Sequence, residues 1–318
     1  MFKGSYVALI TPFKNGEIDT KKLIDLVGWH ISEGTDGLVP VGTTGESTTL
    51  SHEEHLKVID IVVKAAQKKI PVIAGAGSNS TEEAISLTRE AKKLGVDAVL
   101  SVNPYYNRPT QAGLKAHFSA IAKAVNIPII LYNIPSRTGV NLLPLTMASL
   151  AAENSNIVGV KESSGNLDQA TEIRLHCGSG FLILSGDDSL TLPLMAVGAL
   201  GVISVAANLI PKEVAQLCRL VLSQNLEQAQ RLHEQLFPIF KALFIETNPA
   251  PIKAAMQIVG LIESDQLRLP LVSIQPDTRE KLISAMRTLK IKEFTSSPPR
   301  KRESKVSGSP IETIGEDK

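Results

Sequence analysis

Short apolar runs alternate with longer amphipathic stretches from the first residues to about Asn208. The runs at 5–10, 37–41, 71–74, 98–102, 127–132, 157–161, 182–185 and 201–205 read as strands. Many are apolar at both alternations, as expected of parallel strands covered on both faces. The stretches between them carry helical periodicity and start signals. Asp19 can cap one helix whose Leu23, Leu26, Val27 and His30 or Ile31 face inward. Ser51 and Glu54 form a capping-box pattern, Ser80 and Glu83 repeat it, and Gly95 suits a left-handed helix stop. Roughly eight β-then-α units predict an α/β fold of the (β/α)8 TIM-barrel type over residues 1–225, with a doubly wound sheet as the competing architecture. Beyond Asn208 the pattern is all helical, at 211–223, 226–244, 251–259 and 278–289. The first of these completes the eighth unit, and the others form a C-terminal helical subdomain over 226–292. Residues 293–318, rich in Ser, Pro, Lys, Glu and Gly, are expected to form a disordered tail.

Composition narrows the function classes. Hydrophobic residues make up 43% and charged residues 20% of 318, enough for a substantial core. The net charge is +1, and the five basic and four acidic residues of 295–318 account for the excess, so the body is neutral and a general nucleic-acid binder is disfavoured. Mean hydropathy is +0.08, yet no apolar run approaches the roughly 18 residues of a membrane span. The first residues lack the apolar stretch of a signal peptide. Cys177 and Cys218 are too few for a disulfide framework. Together these favour the cytoplasm and exclude a membrane partner.

The candidate chemistry falls at the C-terminal ends of the predicted strands, where barrels of this type place their active sites. Lys161 closes the apolar run Ile157-Val158-Gly159-Val160-Lys161. An ammonium there is costly to desolvate, and burial favours the neutral amine that attacks carbonyls. Lys161 therefore reads as a candidate Schiff-base nucleophile, against the plainer alternative of a strand-tip lysine with its charge in water. Tyr132 ends the preceding strand and can face the same cavity, where a phenol can shuttle protons; a packed ring with a solvated hydroxyl is the alternative. Thr43 and Thr44, flanked by Gly42 and Gly45, can offer N–H groups and hydroxyls to a small anion or can simply make a tight turn. No G-K-[ST] ending makes this a Walker loop. Arg137 has the planar fork that suits a carboxylate. The Gly186-Asp187-Asp188 turn lies where many barrels hold phosphate, and two carboxylates there argue for an unphosphorylated substrate.

The motifs ALITPF, GTTGES, AGAGSNST, NPYYNRP, LYNIPSRTG, GVKES, LSGDD and GVISVAAN occur in order over residues 1–292. In this the chain resembles the 4-hydroxy-tetrahydrodipicolinate synthase (dihydrodipicolinate synthase) family of lysine (diaminopimelate) biosynthesis. The resemblance implies a class I aldolase-type lyase that condenses pyruvate with L-aspartate-4-semialdehyde, without metal or organic cofactor. It implies that Lys161 forms the imine, that Tyr132, Thr44 and Tyr106 relay protons, and that Tyr106 reaches in from a neighbouring subunit of a homotetramer built as a dimer of dimers. Thr43 and Thr44 would hold the pyruvate carboxylate, Arg137 the semialdehyde carboxylate, and Gly186 and Ile203 would line the pocket. Acetylneuraminate lyases and keto-sugar-acid aldolases share the lysine, tyrosine and barrel, but the lyases typically carry an apolar residue at the place of Arg137. A non-catalytic binding barrel is the rival of another class. The resemblance further implies an allosteric site for L-lysine, a feedback inhibitor, at Ser47, His52, His55, Asn79, Glu83 and Tyr105; read alone, His52 to His55 is the solvated first turn of a helix. Thr48 departs from the small residue common in inhibited members. Ser163-Ser164 departs from the more familiar Ala-Thr.

Overall fold

The computed structural model describes residues 2–291. Eight parallel strands form the barrel: β1 (Gly4–Ala8), β2 (Gly37–Val39), β3 (Ile73–Gly75), β4 (Ala98–Val102), β5 (Ile129–Asn133), β6 (Ile157–Glu162), β7 (Leu182–Ser185) and β8 (Gly201–Ser204). Each pairs with its sequence neighbours except β2 with β3, and β1 pairs with β8 as well as β2. The ring closes between β2 and β3 through a Leu38–Val72 bridge and the bond from Gly75 N to Pro40 O, 3.0 Å. The TIM-barrel prediction holds and the doubly wound alternative does not.

The double apolar alternation has two destinations. Inward positions, among them Tyr6, Val39, Leu100, Ile130, Leu184 and Ile203, fill the lumen. Outward positions such as Val7, Leu38, Val99, Leu131, Val160 and Val202 pack beneath the helices. Both faces are buried, so neither alternation can be polar.

Strand ends differ from the predicted runs for local reasons. Ile10, expected in β1, leaves the ladder because its N–H donates to Asn208 Oδ1 at 3.1 Å. Val41, expected in β2, turns out with φ 49. The run at 127–132 starts late because Ile127 N bonds to Val125 O in a turn and Pro128 has no N–H to give. Val205 is taken from β8 by Asp188. A small hairpin, Phe13–Lys14 with Glu17–Ile18, was not predicted. Its Asn15-Gly16 turn, with φ 54 and 85, is the sequence signal for it.

The helices after the strands are α1 (Thr20–Ser32), α2 (His52–Ala66), α3 (Thr81–Leu94), α4 (Gln111–Ala124), α5 (Pro144–Glu153), α6 (Leu167–Cys177), α7 (Thr191–Ala196) and α8 (Pro211–Leu222). Asp19 caps α1, and the reciprocal Ser51–Glu54 box is complete on α2. On α3 only half the expected box forms: Ser80 accepts from Glu83 N, but the Glu83 carboxylate turns to His52 and Ser78. Three further helices follow, α9 (Leu226–Ala242), α10 (Ala250–Ile258) and α11 (Pro276–Thr288). A non-helical stretch at 259–275 separates the last two and crosses the barrel rim, where Arg268 meets Glu54. No helix among the described residues is long and apolar enough to cross a membrane. The tail expected at 293–318 lies outside the described residues.

Candidate active site

Lys161 and Tyr132 are paired across β5 and β6, and Leu184 is the partner of Lys161 on β7. All three point into the lumen. Lys161 is 6% exposed, and its Nζ lies 4.2 Å from the centroid of the Tyr132 ring. The strand-tip alternative is therefore excluded. Buried lysines normally need a counter-charge. Lys253 illustrates the rule: it is fully buried and its Nζ lies 2.6 Å from Glu46. No acidic side chain among the described residues pairs with Lys161. An amine held against an aromatic face and tied to no carboxylate is placed to bond with an electrophile entering the cavity.

The neighbours of Lys161 set its course. Glu162 faces outward, accepting from Ser164 N at 2.6 Å, Asn133 Nδ2 at 3.1 Å and Gln169 Nε2 at 3.1 Å, and so anchors the end of β6 outside the lumen. A Cβ on Gly186 would stand 2.9 Å from Lys161 Cε and would overlap Ser163 Oγ. Glycine at 186 is what lets the lysine stem lie there. Ile203, 1% exposed, belongs to the inner cluster with Tyr132 and Leu184.

A cavity of about 310 Å³ opens beside this layer, and Thr43, Tyr132, Arg137 and Asn248 line it. Lys161, Thr44, Gly186 and Ile203 do not line it, and Tyr132, whose ring faces Lys161 Nζ at 4.2 Å, stands between the cavity and the lysine. Thr44 is 2% exposed and its hydroxyl accepts from Asn248 Nδ2 at 3.0 Å. The loop that carries Thr43 and Thr44 is strained at its start, where β-branched Val41 adopts φ 49. It is pinned from several sides. Thr11 Oγ1 donates to Gly45 O at 2.7 Å, and Glu46 accepts from Lys253 Nζ at 2.6 Å and from Arg268 N at 3.0 Å. Arg137 lies on the short turn Pro135–Thr138, is exposed, and donates from Nη2 to Asn248 O at 3.2 Å.

Asn248, Lys253 and Arg268 escaped the sequence reading. No local pattern marks them, because each acts on a rim loop more than 200 positions away. The acidic turn is a correction. Asp188 does not face a ligand: it is buried and accepts from Ser204 Oγ at 2.5 Å, Ala206 N at 3.0 Å and Val205 N at 3.1 Å. Burial pushes its carboxyl up to about 6. Asp187 caps Ser189 N at 2.9 Å. These carboxylates build the turn, so the argument that they repel phosphate falls.

Of the six positions expected to hold an inhibitor, Ser47, His55 and Tyr105 line the same cavity, while His52, Asn79 and Glu83 do not. His52 Nε2 meets Glu83 at 2.6 Å, His55 Nε2 meets Gly75 O at 2.8 Å, and Asn79 Nδ2 donates to Tyr105 O at 3.3 Å. Hydrogen bonding from Ser78, then from His52, holds the Glu83 carboxyl below its usual range. Tyr106 does not join either group in its own chain. It is 93% exposed with φ 70.

Residues 1–289 match the dihydrodipicolinate synthetase family. The chain is 55% identical over 287 residues to the 4-hydroxy-tetrahydrodipicolinate synthase of Sulfurihydrogenibium sp. (strain YO3AOP1), covering 90% of this chain and 98% of that relative. Among solved structures, dihydrodipicolinate synthase from Aquifex aeolicus superposes with a TM-score of 0.91 at 50% identity, covering 92% of this chain and all of that one. The enzyme from Cyanidioschyzon merolae with lysine bound superposes with a TM-score of 0.88 at 43% identity, covering 91% and 99%.

Proposed function

Because the chain belongs to the dihydrodipicolinate synthetase family, we infer that it catalyses the 4-hydroxy-tetrahydrodipicolinate synthase reaction, condensing pyruvate with L-aspartate-4-semialdehyde. The observation that carries the reading is the Lys161 amine, buried in a closed barrel, 4.2 Å from the Tyr132 ring and paired with no acid among the described residues. The amine attacks the keto carbon of pyruvate, water leaves, and an imine remains. Loss of a methyl proton gives the enamine, whose carbon attacks the aldehyde carbon of the second substrate. The amino group of the condensed product then displaces Lys161 and closes the ring.

Tyr132 relays protons to and from the imine, with Thr44 and the Tyr106 of a neighbouring subunit extending the relay. Thr43 and Thr44 hold the pyruvate carboxylate by backbone N–H and hydroxyl groups. Arg137, at the cavity mouth, takes the carboxylate of the semialdehyde through its fork. The lysine itself supplies the electron sink, so no cofactor enters the scheme.

L-Lysine is the proposed feedback inhibitor. Its ammonium suits the charged Glu83 carboxylate, with Ser47, His52, His55, Asn79 and Tyr105 around it. The exposure of Tyr106 supports a neighbouring subunit covering it, in keeping with a homotetramer of paired dimers. The cytoplasm is the proposed location.

Borohydride added to the chain with pyruvate tests the reading. A reduced pyruvyl adduct on the Lys161 peptide is expected by mass spectrometry, and an unmodified Lys161 would overturn it. Replacing Arg137 by Ala is expected to impair turnover of the semialdehyde more than any turnover of a keto-sugar acid, which separates this activity from its sibling aldolases.

A further inference from the structure

Ser163 follows Lys161 by two positions and continues its inward alternation past the end of β6. Its backbone is fixed by the bond from Ser163 N to Asn133 O, 2.9 Å. Its hydroxyl is shielded from solvent and has no hydrogen-bond partner. An orphaned buried hydroxyl costs free energy, so its presence asks for a ligand or a reason. Its position supplies one. Ser163 Oγ lies close enough to the point a Cβ on Gly186 would occupy to overlap it, and Lys161 Cε is 2.9 Å from that same point. The hydroxyl therefore sits against the lysine stem on its β7 flank. Tyr132 occupies the opposite, β5 flank.

We propose that Ser163 donates a hydrogen bond to the aldehyde oxygen of the second substrate while the carbon–carbon bond forms. The inference rests on the imine at Lys161. In that step the enamine carbon bonds to the aldehyde carbon, and the carbonyl π pair moves onto oxygen. The nitrogen lone pair restores the iminium, so charge is conserved. Ser163 stabilises the developing alkoxide without giving up its proton. Imine formation precedes the aldehyde and is handled from the Tyr132 flank. The hydroxyl thus acts on the second half-reaction alone, where a donor aimed at developing charge lowers the barrier.

The test compares native chain, Ser163→Ala and Ser163→Thr. Two rates are read: borohydride trapping of pyruvate on Lys161 without aldehyde, and turnover with L-aspartate-4-semialdehyde at saturating pyruvate. Ser163→Ala should trap pyruvate at the native rate yet turn over about tenfold more slowly, somewhat less than the full loss of an oxyanion donor because the hydroxyl shares the developing charge with the relay on the Tyr132 side. Threonine, which keeps the hydroxyl, should restore turnover. Native turnover in Ser163→Ala overturns the proposal, as does an equal loss of trapping and turnover, or a loss that threonine does not restore. Absence of trapping in the native chain would instead remove the imine itself.

Discussion

A methyl group at position 186 is the smallest change that would disturb Lys161, the proposed nucleophile. Gly186→Ala sets a carbon 2.9 Å from Lys161 Cε and onto the Ser163 hydroxyl, so the stem must swing. Small misplacement of a nucleophile costs about a hundredfold in rate. We expect turnover to fall by that order while circular dichroism stays native, and steady-state kinetics on the variant will check it. At this scale the sequence was informative where chemistry is local. Lys161 and Tyr132 sit at the ends of apolar runs, and strand periodicity alone aims them inward. Asn248 was not legible, because its value lies in reaching Thr44 from 204 positions away. Asp188 was misread because its charge was taken as one that would repel a phosphate, whereas its oxygens serve the N–H groups of Val205 and Ala206.

Between elements, the link from α2 to the rim-crossing stretch before α11 is the fork of Arg268 on Glu54, with both N–O distances 2.6 Å. Hydrogen bonding from Arg268 holds the Glu54 carboxyl down to about 2. A carboxyl depressed in the folded state contributes stability that is full at neutral pH and is lost as pH falls from its ordinary value near 4.5 through about 2. Glu54→Gln is therefore expected to melt a few degrees below the native chain at pH 7, and the gap should close as acid is added. Thermal denaturation across pH 7 to 3 measures this. The elements themselves were readable from alternation, and all eight barrel strands were found. Their ends were not, since distant groups decide them: Asn208 draws Ile10 off β1 at 3.1 Å, and Asp188 draws Val205 off β8. The C-terminal helices were legible as helices, but their docking on the rim has no periodic signature.

For the molecule as a whole, one buried charge pair joins the two ends of the fold. Lys253→Met would leave the Glu46 carboxylate at full burial without its counter-charge, held only by the Arg268 N–H, at a cost of about 3–5 kcal/mol. Chemical denaturation should register that loss, and adding Glu46→Gln should recover part of it. The assembly is testable in the same spirit. If Tyr106 serves a neighbouring site, subunits carrying Tyr106→Phe and subunits carrying Lys161→Ala should together show more activity than either alone after mixing and refolding. Equal or lower activity would keep Tyr106 out of the relay. The clasp of Asn248, Lys253 and Arg268 on the Thr43–Thr44 loop also bears on protein engineering. A chimera that borrows everything from Asn248 onward from a homologue inherits someone else's grip on the Thr43–Thr44 turn. It will work only if the donor's 41–46 segment is transplanted as well.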